Sequence, residues 1–207
     1  AIMSLAQSAL RAAKTRGKNR VVLADPDSNV FVDAIDIERY RSLIQDALAQ
    51  DRLLIHLQPI LEIDTGAIAR YEALVRILDP AGDLIPPDEW IPKAEDLHLI
   101  EEVDKRVVSL SLAHWSQMAR GGGDAGISIN VSRQSINREM AEIIVEMIAA
   151  NGVNPNKVTI EVTETALAGD TTDLECFLCI VRNAGARVAV DDYGSGNASL
   201  RRIRGIS

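Results

Sequence analysis

The chain has 207 residues, 47% of them hydrophobic and 25% charged, with a formal net charge of −8. This composition is that of a globular protein; it excludes a disordered tail, a collagen-like fibre and a disulfide scaffold, and 3% aromatic residues are too few for a base-stacking single-strand binder. No apolar run approaches the roughly 18 residues of a membrane span, and the first 24 residues lack the apolar core of a signal peptide.

The chain opens on Ala1 rather than Met, so a piece of a longer protein is expected. Residues 1–24 carry Arg11, Lys14, Arg16, Lys18 and Arg20 and no acid, which leaves the remainder more acidic than the whole. An acidic body argues against a nucleic-acid polymer as partner, because such binding rests on neutralising phosphates. It does not exclude a small phosphate ester held through metal ions.

The pattern predicts a short helix over 4–14, a turn at Gly17-Lys18-Asn19 and a strand over 20–23. Asp25-Pro26-Asp27-Ser28-Asn29 is turn-rich, and a domain boundary is placed in 25–36. A helix is predicted over 37–50, with Ile37, Tyr40, Leu43, Ile44 and Leu48 on one face. Strands over 53–60 and 69–77, joined by Asp64-Thr65-Gly66, read as an antiparallel hairpin. A polar, proline-rich excursion over 79–87 leads into a short helix from Asp88. A long helix over 101–120 carries Val103, Val107, Leu110 and Met118 on one face and stops at Gly121-Gly122-Gly123.

A regular rhythm follows: strand 126–131, helix 134–150, strand 158–162, helix 172–183, strand 187–191. In the helix over 134–150, Ile136, Met140, Ile143, Ile144, Met147 and Ile148 are expected to face inward. Alternating strands and helices with short connections predict parallel βαβ units, with strands apolar on both faces beneath covering helices. An open Rossmann-type sheet would need a G-x-G-x-x-G turn, which none of these strand-to-helix turns has, so a βα barrel is the better reading. Cys176 and Cys179 form a C-x-x-C, expected to be two reduced thiols on a buried helix face. His56, His98 and His114 match no zinc spacing and are expected to be structural or at the surface.

Polar groups recur at or near the ends of successive strands: Glu72, Asn130, Glu161 and the pair Asp191-Asp192. Asn130, Glu161 and Asp191 lie 31 and 30 residues apart, one βα unit each. In a parallel barrel such strand ends converge on one rim, where active sites are built. Oxygen donors without Cys or His suit hard divalent cations such as Mg²⁺ or Mn²⁺. Without a cation, carboxylates gathered at one rim would raise each other's pKa.

Gln58-Pro59-Ile60, Glu72-Ala73-Leu74-Val75-Arg76, Asn130-Val131-Ser132, Glu161-Val162-Thr163-Glu164 and Asp191-Asp192-Tyr193-Gly194-Ser195-Gly196 together resemble the EAL-domain family. Its members are cyclic di-GMP phosphodiesterases and their non-catalytic receptor relatives. The resemblance implies an α/β fold, a modified TIM (βα) barrel of the EAL type. It is expected to be incomplete here, with the first five strands or so. The last three strands, and with them a lysine near the attacking water, a further acidic ligand and a glutamine, are expected past Ser207. The 207-residue chain alone is therefore expected to be nearly inactive and its parent active.

Carried over by position, the resemblance implies that Glu72, Asn130, Glu161, Asp191 and Asp192 hold a two-metal site of Mg²⁺ or Mn²⁺, with Glu72, Asp191 and Asp192 catalytic. Gln58 and Arg76 are implied as substrate contacts, and Glu164 as the carboxylate that positions the loop over 193–199. That loop is also implied in homodimer contact. Tyr193, Ser195 and Asn197 depart from the residues usual in the family's loop.

Ala9–Lys14 with Gly17–Val21 resembles the tail of a GGDEF (diguanylate cyclase) domain, although Arg11 stands where that family usually has Tyr. The expected organisation is a GGDEF-like tail over 1–24, a linker over 25–36 and an EAL-like domain over 37–207. The location implied is the bacterial cytoplasm, with any membrane tether supplied by domains upstream of this chain. A non-catalytic cyclic di-GMP receptor and an inactive fragment are the alternative readings.

Overall fold

The computed structural model describes residues 29–163 and 171–191, with side chains from residue 37 onward. The basic segment over 1–24, Glu164, Asp192 and the loop over 193–199 lie outside the described residues.

Helix α1 (Asn29–Ala49) leads into strands β1 (Leu53–Leu61) and β2 (Ile68–Leu78). It begins eight residues before the predicted start, inside the stretch read as linker. Asp, Ser and Asn open helices as readily as they make turns, so a turn-rich run does not tell the two apart. Strands β1 and β2 form the predicted hairpin, with Gln58 opposite Glu72 and Leu54 opposite Arg76.

The excursion after β2 hides a third strand, β3 (Leu84–Ile85), which pairs back onto Leu78 and Ile77. Asp79 makes the reversal: its Oδ1 accepts the amides of Ala81 at 2.8 Å and Asp83 at 2.9 Å. Helix α2 (Pro87–Asp96) starts on a proline, whose missing N–H costs nothing in a first turn. Helix α3 (Ile100–Arg120) follows after His98, which holds a positive φ of 55°.

Strands β4 (Gly126–Asn130), β5 (Val158–Thr163) and β6 (Arg187–Asp191) alternate with helices α4 (Arg138–Ala150) and α5 (Thr171–Asn183). The sheet runs β1-β2-β4-β5-β6, with β3 beside β2. Pairing from β2 through β6 is parallel, as the βαβ rhythm predicts. Gly126 is required where β4 begins, since a Cβ there would stand 2.9 Å from the carbonyl oxygen of Lys157.

Helix α4 starts four residues later than predicted. A single 3₁₀ turn (Arg133–Ser135) comes first, and then Asn137 accepts the Met140 amide at 2.8 Å and caps the true helix. Met140, Ile144 and Ile148 of the expected stripe are buried, and Ala141 joins them.

The core lies between the sheet and its helices. Ile44 and Ala47 of α1, Trp90 and Ala94 of α2, and Val103, Val107, Val108 and Leu112 of α3 are buried. Met118, expected on that stripe, is exposed. The cysteines also differ from expectation. In α5 the buried positions are Leu174, Phe177, Leu178 and Val181, an i, i+3, i+4, i+7 stripe. That register leaves Cys176 half-buried and Cys179 exposed, both as free thiols. All three histidines are exposed.

Candidate active site

Register decides which side chains share a face of this sheet. In-register partners on neighbouring strands point the same way, and successive residues alternate. Gln58 pairs with Glu72, Glu72 with Ser128, Asn130 with Glu161, and Glu161 with Ala189, two residues before Asp191. Gln58, Glu72, Asn130, Glu161 and Asp191 therefore occupy one face. Arg70 and Arg76, at even offsets from Glu72, share it.

The opposite face carries Ala73, Ile77, Ile127, Ile129, Val158, Ile160 and Val162, all buried against the helices. The expectation of strands apolar on both faces is thus corrected: helices cover one face only, and the other is polar. Residues of such strands alternate in burial demand, as in a sheet with one wet side.

Register also sets height. Glu72 is level with Ser128, Asn130 and Glu161 stand two residues higher, and Asp191 is level with Thr163, two higher again. The climb is four residues over three strand steps. A TIM barrel climbs about one residue per strand because its strands tilt, so this stagger keeps the four side chains near one height along the barrel axis. Glu72 itself is mid-strand rather than at a strand end, since β2 runs on to Leu78 beside β1 and β3. It stands one residue before the end of the stretch paired with β4, at Ala73.

A direct contact joins two of the expected residues: Asn130 Nδ2 donates to Glu72 Oε1 at 2.9 Å. The Glu161 carboxyl is held above its ordinary value of 4.5, chiefly by burial. The Ser128 hydroxyl opposes that rise, the negative charges of Glu72 and Asp191 add to it, and the Arg70 guanidinium opposes it again. Arg70 Nη1 also donates to Thr159 Oγ1 at 3.4 Å. Arg76, higher on β2, donates from Nη1 to the Val75 carbonyl at 2.7 Å.

Three carboxylates on one face, two of them pushing up the pKa of the third, make the setting that a hard cation relieves. The donor set of carboxylates and one amide fits Mg²⁺ or Mn²⁺ and does not fit zinc. With Asn130 Nδ2 committed to Glu72, its amide oxygen is the atom that would meet a cation. Among the described residues no three Asp, Glu, His or Cys side chains stand close enough together to hold an ion by themselves. Gln58 is exposed on the same face, across from Glu72.

Sequence reasoning missed Arg70, Ser128 and Thr159, the polar floor below the carboxylates. Their signal was present: each lies an even number of residues from a candidate ligand on its own strand. It also missed Asp104, a buried carboxylate on α3 that holds the turn leaving β4. Asp104 Oδ2 accepts from Ser132 N at 2.9 Å, Ser132 Oγ at 2.5 Å and Ser135 Oγ at 2.6 Å.

Residues 41–207 match the EAL domain. The chain belongs to the EAL-domain family. Among similar proteins, the cyclic di-GMP phosphodiesterase PdeB of Shewanella oneidensis is 31% identical over 196 residues, covering 93% of this chain and 23% of that protein. An uncharacterized signaling protein of Caulobacter vibrioides is 30% identical over 213 residues, covering 99% of this chain and 25% of that protein. The chain thus spans about a quarter of the length of these relatives. In structure it is similar to the PaMucR phosphodiesterase in complex with c-di-GMP, with a TM-score of 0.75 at 24% identity over 80% of this chain and 68% of that one. It is likewise similar to the FimX EAL domain of Xanthomonas citri in complex with c-diGMP, with a TM-score of 0.74 at 23% identity over 85% of this chain and 68% of that one. These likenesses establish the TIM-barrel-like EAL fold.

Proposed function

We propose that the protein carrying this domain is a metal-dependent phosphodiesterase that hydrolyses cyclic di-GMP to linear pGpG in bacterial second-messenger signalling. The observation that carries the reading is the Asn130–Glu72 hydrogen bond on the polar face that also bears Glu161 and Asp191. In this reading Glu72, Asn130, Glu161 and Asp191, with Asp192, hold two cations, Mg²⁺ or Mn²⁺. Bound there, such a pair supplies Lewis acidity, lowering the pKa of water and neutralising charge on phosphate oxygens.

The chain's own residues do the rest. Asn130 fixes the Glu72 carboxylate by donating to it. Arg76 stands above Glu72 on β2, about 13 Å along the strand, where a guanidinium can take two phosphate oxygens at once. Gln58, opposite Glu72, offers an amide that can both donate to and accept from substrate. The apolar face behind the strands keeps water from the back of the site. Glu164 holds the loop over 193–199 in place, and that loop meets a second copy of the protein. Residues 1–24 are the tail of a GGDEF-like domain, 25–36 the linker and 37–207 the EAL domain, in a cytoplasmic protein.

The test is hydrolysis of cyclic di-GMP by the protein carrying this domain, with pGpG resolved by chromatography. Turnover with Mg²⁺ or Mn²⁺ that stops on chelation is expected. Tight binding of cyclic di-GMP without turnover at any metal concentration would replace the enzyme by a receptor.

A further inference from the structure

We infer that Asp104 is a positioning residue for Asn130. The inference rests on the metal-site reading above, because it gives Asn130 its purpose. Asp104 is 6% exposed and sits on α3, 28 residues before the first serine that it holds. One of its oxygens, Oδ2, collects three hydrogen bonds, all from the turn that leaves β4. Ser132 and Ser135 are themselves 3.0 Å apart at their hydroxyls, so the cluster is a closed three-residue knot.

The knot begins two residues after Asn130. The intervening Val131 is 2% exposed, and its amide donates to the Glu161 carbonyl at 2.9 Å. Asn130 is therefore fixed from both sides: by the β4–β5 ladder before it and by the Asp104 knot after it. Helix α3 supplies a rigid mount, since Val103, Val107 and Val108 around Asp104 are all at most 3% exposed. Downstream, Asn137 caps α4, so the turn has an anchored residue at each end.

A buried carboxylate that only filled space would be a costly choice on a helix face whose buried residues are, Ser111 apart, apolar. Collecting one amide and two hydroxyls on a single oxygen locks the direction in which β4 exits, and with it the side chain of Asn130. Partners that orient ligands without touching the ion are worth roughly 10–100-fold in metal affinity or activity.

The experiment compares wild type, Asp104→Ala, Asp104→Asn and Ser135→Ala in the protein carrying this domain. Mn²⁺ binding is read by paramagnetic resonance well below each melting temperature, and amide hydrogen exchange is followed over residues 126–136. Asp104→Ala should weaken Mn²⁺ binding about 10–100-fold and speed exchange in that segment. Asp104→Asn should recover most of both, since an amide oxygen can accept the same three bonds. Ser135→Ala, which removes one bond, should lose several-fold and keeps the test open if Asp104→Ala does not fold. Wild-type Mn²⁺ affinity in Asp104→Ala, or in Ser135→Ala where Asp104→Ala does not fold, would overturn the inference, as would equal losses in Asp104→Ala and Asp104→Asn. If wild type binds no Mn²⁺, the metal reading falls, and unchanged exchange over 126–136 in the variants would then overturn the positioning role as well.

Discussion

Replacing Glu72 by Ala should separate stability from activity. The fold loses one hydrogen bond, from Asn130 Nδ2 to a carboxylate oxygen at 2.9 Å. A bond to a charged group contributes about 1.5–3 kcal/mol, and the low end applies where the side chain is half-exposed and water can replace the partner. Against this, the substitution removes one of three like charges from the polar face. Glu72 and Glu161 lie two strand spacings apart, about 10 Å, so their repulsion is on the order of 0.5 kcal/mol once solvent screening is allowed. The net loss is about 1 kcal/mol, so the metal-free variant should melt within about 4 °C of wild type. Turnover should fall by about a thousandfold or more, the equivalent of about 4 kcal/mol of lost transition-state stabilisation. A third readout ties the two together: Mg²⁺ at about 100 times its Kd should stabilise wild type by about 2.7 kcal/mol and the variant far less. The assay is thermal melting with and without Mg²⁺, followed by cyclic di-GMP hydrolysis. Wild-type hydrolysis would sink the ligand assignment, and a metal-free melting point lowered by more than about 10 °C would show that Glu72 holds the fold instead.

Phe177→Ala should cost about 3–5 kcal/mol, since Phe177 is fully buried, whereas Cys179→Ser at the exposed position should leave the melting curve unchanged; a large loss from the cysteine change would refute the helix register. His98→Gly should stabilise the protein by roughly 0.5–1 kcal/mol in denaturant melts by relieving a left-handed backbone at φ 55°, and destabilisation would show that the side chain outweighs the strain. Burial holds the Asp104 carboxyl above its ordinary value of 3.8, the Ser132 and Ser135 hydroxyls oppose this, and the charge of Glu95 adds to it. The folded state then keeps a proton that the unfolded chain has lost, so this contribution is full below about pH 3.8 and declines as pH rises through the folded-state value; Asp104→Asn should flatten that decline in melts between pH 4 and 7, and parallel curves would count against it. Ca²⁺ in place of Mg²⁺ should depress turnover, because its longer bonds and higher coordination number suit neither ion of a close pair, and equal rates in the two cations would speak against two-metal chemistry.

Much of the architecture was legible because pattern and punctuation agreed. Strand β6 begins where predicted, with Gly185 at φ 93° ending α5 and Arg187 opening the strand two residues later. The shared face of Asn130, Glu161 and Asp191 was legible too, since they recur 31 and 30 residues apart, one βα unit each. Other features needed tertiary facts. The two-residue strand β3 exists only because Asp79 folds the chain back, and no periodicity can be read from two residues. The start of α4 was missed because Gln134 and Ile136 fit a helical stripe, yet Asn137 competes better for the cap. The cysteines were placed by neighbouring apolar residues rather than by the phase of the stripe. Asp104 was not singled out in the sequence, although its spacing from Ile100, Val107 and Val108 sets it on the buried side. A carboxylate in phase with the core, followed in sequence by two serines three apart, is the signal that would have found it.

The register also bears on how such a domain can change over evolutionary time. Gln58, Glu72, Asn130, Glu161 and Asp191 all sit on the same parity of a shared ladder, with Ala73, Ile129, Ile160 and Val190 on the other. Deleting one codon within β4 or β5 would not merely shorten a strand. It would turn every following side chain over, sending Ile129 or Ile160 into the wet face and an amide or carboxylate into the hydrocarbon beneath the helices. Loops such as Glu62–Ala67 and Gly121–Ala125 lie outside this constraint, so length variation among descendants of this sequence should accumulate there and, inside the strands, should come only in pairs of residues.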